Sequence, residues 1–183
     1  MQTMRQKGIN TLMALGFVAA TALTAGAAQA ASGNGPYYAE PSWSQKLPAA
    51  TRFVVLLDWN SEAVLDRNTG LVWERSPAAP AETWNRARLT CLNKTVGGQK
   101  GFRLPSIVEL TSLVDPANNN PALPAGHPFT NVLSSIYWSA TSSAENPTFA
   151  WDVVLGNGFV SSSNKTNFNH FWCVRGGSNA EAY

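Results

Sequence analysis

Residues 168–177 read FNHFWCVRGG, an aromatic run of strand-forming residues with Cys173 in its middle. The chain's other cysteine, Cys91, lies about eighty residues upstream in ARLTCLNK (residues 87–94). There Trp84, Ala87, Arg88, Cys91 and Leu92 recur at helical spacing across the segment from Glu82 to Asn93. The destination of the two thiols bears on both compartment and architecture.

The N-terminus bears on the compartment. Arg5 and Lys7 precede an apolar run from Ile9 to Ala25, and Ala28-Gln29-Ala30 supplies the small-x-small pattern of a cleavage site. Residues 1–30 therefore read as a signal peptide, and its Ala/Gly/Thr-diluted run ends without a basic stop-transfer cluster. This predicts a periplasmic, secreted or cell-surface protein, with no membrane insertion after cleavage near Ala30. In an oxidising compartment two thiols normally pair. Closing a loop of about eighty residues stabilises the fold by about 4–5 kcal/mol in the chain-entropy model. A metal pair or a catalytic thiol are the alternatives. Cys91 has no Cys or His near it in sequence, and Cys173 has only His170. A Cys91–Cys173 disulfide predicts that the helix and the C-terminal strand lie within a few ångströms of each other.

Removing Arg5 and Lys7 from the 13 Lys+Arg leaves 11, against 11 Asp+Glu, so the processed chain is formally neutral. A neutral surface offers no general attraction for nucleic acid or anionic membranes. Residues 31–50 are rich in Gly, Pro, Ser and Ala and read as a linker or N-terminal arm, residues 51–178 as one domain, and 179–183 as a tail. Six of the seven tryptophans fall between Trp59 and Trp172. Of these, Trp73, Trp84, Trp138, Trp151 and Trp172 sit inside strand or helix patterns and are assigned to the core.

RFVVLLD predicts a first strand over Arg52–Asp58, and AVLDRNTGLVWER (residues 63–75) a hairpin turning at Asp66–Gly70. Ser106-x-x-Glu109 has the form of a capping box opening a second helix, with Ile107, Leu110 and Val114 as its buried stripe. Asp115–Ser135 holds four prolines and four asparagines and predicts a long loop, either functional or laid over the core. IYWSAT (136–141), TFAWDVVL (148–155) and HFWCVRG (170–176) read as strands, and Gly156-Asn157-Gly158 as a hairpin into FVSSS (159–163). Strands, two helices, then strands give an α+β fold.

DRNTGLVWER, TWNRARLTC, GFRLPSIVEL, YWSAT, FAWDV and FWCVRGG occur in this order between Arg52 and Gly177. Together they resemble the Lcl C-terminal domain family, a bacterial domain of unknown function. The resemblance implies a C-type lectin-like fold, two helices packed on small antiparallel sheets, with an early helix tied by a disulfide to the last strand. Cys91 and Cys173 match that tie. RLP…E and VRGGS are also similar to the formylglycine-generating-enzyme branch of this fold, where Arg103, Glu109 and Arg175 would be structural.

Sequence motifs of catalysis are missing: there is no G-x-S-x-G, H-E-x-x-H or Walker loop. No catalytic residue, metal ligand or cofactor is assigned. Glu145-Asn146-Pro147 and Trp151-Asp152 loosely echo calcium-lectin sets, but the order differs, and the first reads as a turn. SSSNKTNFNH (161–170) offers Asn164, Lys165, Asn167, Asn169 and His170 as a ligand-binding set for a polyhydroxylated molecule, since amides both donate and accept. The sequence thus predicts an exported binding or adhesion module for a glycan or a protein surface, without catalysis. The alternatives are an interaction subunit of a surface or secretion assembly, and a cryptic enzyme built around His170.

Overall fold

The computed structural model describes residues 47–77 and 80–176. The stretches predicted as the signal peptide, most of the arm and the tail lie outside these residues. Among them two antiparallel sheets and three short helices form an α+β architecture.

The first sheet has the order β1 (Phe53–Val55), β2 (Ala63–Asp66), β3 (Leu71–Glu74), β7 (Val174–Arg175). The second is a meander of β4 (Ile136–Ser142), β5 (Phe149–Val154) and β6 (Phe159–Asn164). The β2–β3 hairpin turns through Asp66–Gly70 as its composition demands, with Gly70 at φ 70°. A helical turn, α1 (Ala49–Arg52), begins within the stretch assigned to the arm, and Ala49 is buried in the core.

The strand expected over Arg52–Asp58 is shorter. It ends at Val55, and Leu57–Trp59 wind into a 3-10 turn whose Leu57 is exposed. A run of apolar residues does not separate a strand from a turn, because both can carry one buried face. The first predicted helix, α2, spans Trp84–Asn93 and buries Trp84, Ala87 and Cys91, while Leu92 points to solvent. The second, α3 (Ile107–Thr111), opens with the complete capping box. Leu110 is its deeply buried residue and Ile107 packs only partly; just past its end Leu113 is deeply buried and Val114 partly so.

FWCV, residues 171–174, joins these parts. Successive residues of an extended chain point to opposite sides. Trp172 and Val174 accordingly enter one core cluster with Trp73, Phe129, Tyr137 and Leu110. Phe171 and Cys173 enter the other with Trp84, Cys91, Phe102 and Trp138. Regular strand pairing is confined to Val174–Arg175, shorter than the predicted strand over 170–176, because the backbone changes partners along its length. Asn169 exchanges hydrogen bonds with Glu82, His170 with Ile136 and Trp138, Cys173 accepts from Glu74, and Val174 exchanges two with Arg103. One segment thus pairs in turn with the lead-in to α2, the second sheet, the first sheet and the lead-in to α3.

The disulfide between Cys91 and Cys173 locks the same seam, with Cα atoms 5.4 Å apart and both residues fully buried. Edge-to-face rings fill the first cluster. Trp172 meets Trp73 at 5.6 Å and Phe129 at 4.8 Å between centroids. Three indole N–H groups find backbone acceptors: Trp172 donates to Glu74 at 2.7 Å, Trp138 to Glu82 at 2.9 Å and Trp84 to Ser139 at 2.7 Å. The loop over 115–135 lies against the core. Leu123 and Phe129 are buried, and Asn120 and Ala122 donate to Gly156 and Leu155.

Candidate functional site

The segment 161–170 leaves β6 and returns to the seam. Asn164 accepts from the backbone N–H and hydroxyl of Thr166, closing an Asx turn. Lys165 folds inward. Its Nζ donates to Ser142 Oγ and the Pro147 carbonyl at 2.7 Å each, and it lies 4.2 Å from the Trp84 ring centroid. Its carbonyl also accepts from Trp84 N at 3.1 Å, the first turn of α2. Asn169 is buried beside Glu82, and its Nδ2 has no hydrogen-bond partner among the described residues. The half-buried His170 packs near Tyr137, ring centroids 5.7 Å apart, and Tyr137 Oη accepts from Leu133 N at 2.9 Å. Burial raises the Tyr137 pKa above its usual value, and the bond from Leu133 partly offsets this. The outward member of the set is therefore Asn167, with the exposed Phe168, outside the set, beside it.

Arg103 and Glu109 form a bidentate pair at 2.7 and 2.6 Å, and Arg103 also donates to the Gly176 carbonyl at 2.6 Å. Glu109 Oε2 accepts from Ser106 N, so one carboxylate closes the capping box and anchors the arginine at once. Arg175 reaches Gln99 Oε1 at 3.3 Å and lies over the Trp59 ring at 5.2 Å. Gly97, with φ +56°, packs against the same residue: a Cβ there would fall 2.4 Å from the Trp59 Cβ and from its carbonyl oxygen.

Trp151 departs from its assignment to the core: it is 37% exposed. Residue 151 stands on β5 directly opposite Ser162 of β6, and Phe149 stands opposite Asn164. Residues two apart share a face, so Phe149, Trp151, Ser162 and Asn164 line one side of the meander. Farther along that face Val153 and Tyr137 are buried by the core, but this cover does not extend to Trp151. Strand periodicity marks Trp151 correctly as lying in a strand and cannot say how far the opposing layer reaches.

Asn146 accepts from Thr148, which makes Glu145–Pro147 a turn leading into β5. Asp152 is buried with Oδ1 bonded to the Ser161 hydroxyl. Among the described residues no group of three or more His, Cys, Asp or Glu side chains converges as a metal site would, and no helix is long and apolar enough to cross a membrane.

An α+β domain with two small antiparallel sheets, stitched by its final segment and by one disulfide from α2 to that segment, is the class these features define. The chain belongs to the Lcl C-terminal domain family, whose model matches residues 62–175. Comparison with curated proteins finds no match.

Proposed function

We propose that this protein is an exported, non-catalytic binding module on a C-type lectin-like scaffold, and that it recognises carbohydrate through the uncovered end of the β5–β6 face that carries Trp151. The observation that carries the reading is the exposed Trp151 beside Ser162, with Asn164 next along the face. An indole covers the apolar C–H side of a sugar ring, while neighbouring hydroxyl and amide groups bond its oxygens. The lectin-like scaffold is supported by the tie between α2 and the final strand region. Export is supported by the basic-apolar-small pattern of residues 1–30 and by the pairing of both cysteines, which an oxidising compartment favours. A periplasmic, secreted or surface location and a role in adhesion follow from that reading and from family analogy.

The test is a glycan array probed with purified protein, followed by titration of the best ligand against Trp151→Ala and Asn164→Ala. Loss of affinity by at least about tenfold in Trp151→Ala, with an unchanged melting temperature, is the expected result. Undiminished binding by that variant removes the β5–β6 face from consideration. A second reading, a protein-interaction subunit of a surface or secretion assembly, is favoured by the exposed apolar residues Phe159 and Val160 on β6. Silence across the array, together with a partner that co-purifies and is lost in Phe159→Ser, selects it.

A further inference from the structure

A cleft of about 420 Å³, with no lining residue from β5 or β6, opens where the β2 approach, the end of β3 and the segment after α2 meet. Ser61, Glu62, Glu74, Ser76, Lys94 and Thr95 are among its lining residues. Glu74 ends β3, held by its own backbone: its N–H donates to Cys173 at 3.2 Å and its carbonyl accepts from Trp172 Nε1 at 2.7 Å. Its side chain is 8% exposed. Oε1 is ion-paired with Lys94 Nζ, while Oε2 is buried with no hydrogen-bond partner among the described residues. An unsatisfied carboxylate oxygen in a native fold calls for a donor.

The surroundings narrow what that donor is. The cations already have partners. Lys94 is paired with Glu74, and Arg75 donates to the Pro128 and Ser61 carbonyls. Two carboxylates, Glu62 and Glu74, balance these two cations, so a charged ligand would lose its hydration without a matching countercharge. The remaining capacity is that of hydroxyls. Ser76 Oγ accepts from Asn131 Nδ2 at 3.0 Å, which leaves its proton to donate, and Thr95 and Thr130 line the mouth. We infer that this cleft is a second binding site, distinct from the β5–β6 face, and that it takes a neutral polyhydroxylated molecule of about monosaccharide size, one hydroxyl donating to Glu74 Oε2. Burial raises the Glu74 pKa against the opposing pull of Lys94, in keeping with an acceptor whose hydration has been removed.

Amide chemical-shift mapping of the full chain tests this, with free hexoses, N-acetylhexosamines and myo-inositol as neutral probes and ethanolamine as a cationic one. The expected result is saturable shifts at Glu74, Ser76 and Thr95 with at least one neutral probe. Glu74→Gln should weaken this binding at least tenfold, and Thr95→Phe, which crowds the mouth without touching Glu74, should block it. Trp151→Ala should leave it unchanged, so failure at either site is read separately from the other. No shift at the cleft with any neutral probe, shifts that survive both cleft variants, or tighter binding of ethanolamine would each overturn the inference.

Discussion

Arg52 and Asp66 show how much one buried pair can hold. The guanidinium donates to both carboxylate oxygens at 2.9 and 2.7 Å and to the Ser112 carbonyl at 2.7 Å, with side chains 6% and 0% exposed. Removing one partner strands the other charge away from water. Asp66→Ala should therefore cost about 3–5 kcal/mol, measured by urea denaturation. A loss below about 1 kcal/mol would mean that the guanidinium finds water or another acceptor. His127 sets a pH dependence. Burial holds its pKa below the ordinary 6.5, and Nδ1 has no partner among the described residues. As pH falls through 6.5 the unfolded chain takes up the proton first, so the stabilising contribution is complete above 6.5 and declines below it. Glu74 runs the opposite way. Its pKa is raised above 4.5, so its contribution is largest below 4.5 and declines as pH rises through the raised value. His127→Gln should flatten the fall in melting temperature between about pH 7 and pH 5, where the histidine effect is expressed. An unaltered slope would assign that fall to other groups.

At the scale of elements, α3 has only five residues and depends on its ends. Ser106→Ala removes the acceptor for Glu109 N and should cost about 1 kcal/mol. Glu109→Ala also releases Arg103 and should cost more, roughly 2–3 kcal/mol, in the same denaturation assay. Equal losses would show that the Arg103 pair contributes nothing to stability. Gly158 controls the β5–β6 hairpin. Its φ is +78°, and a Cβ there would stand 2.5 Å from Val114 Cγ1, so Gly158→Ala should destabilise through both backbone and packing. The devices visible in the sequence are these local ones: the capping box, the Asp66–Gly70 turn and the Gly156–Gly158 hairpin each depend on a few adjacent residues. The bounds of β1 and of the final strand are decided elsewhere. Val55 gives way to a 3-10 turn, and residues 169–175 change partners from bond to bond, through contacts that no local pattern encodes.

Taken whole, the domain relies on one covalent link across 82 residues. Cys91→Ser with Cys173→Ser should cost about 4–5 kcal/mol under the loop-entropy model, seen as a lower urea midpoint with unchanged far-ultraviolet circular dichroism. Retained stability would place the tie's contribution in packing alone. The pairing is readable from the sequence because only two cysteines exist. The cleft is not, since its lining comes from four separated segments around Ser61, Glu74, Lys94 and Thr130. Nor are the internal roles of Lys165 and Asn169. They arise from meeting α2 and its lead-in, and an amide or ammonium in a polar loop looks the same whether it faces water or a neighbouring backbone.

The order in which a ribosome delivers these parts carries a consequence for damaged or unfinished copies. β3 lies between β2 and β7, and β7 belongs to the last segment of the matched domain. A product that stops short of Asn169 keeps the β1–β2–β3 hairpins but leaves the outer rim of β3, with Trp73, open to hydrogen bonding by any extended peptide. Such truncated copies should accumulate as insoluble clumps rather than as weakened monomers.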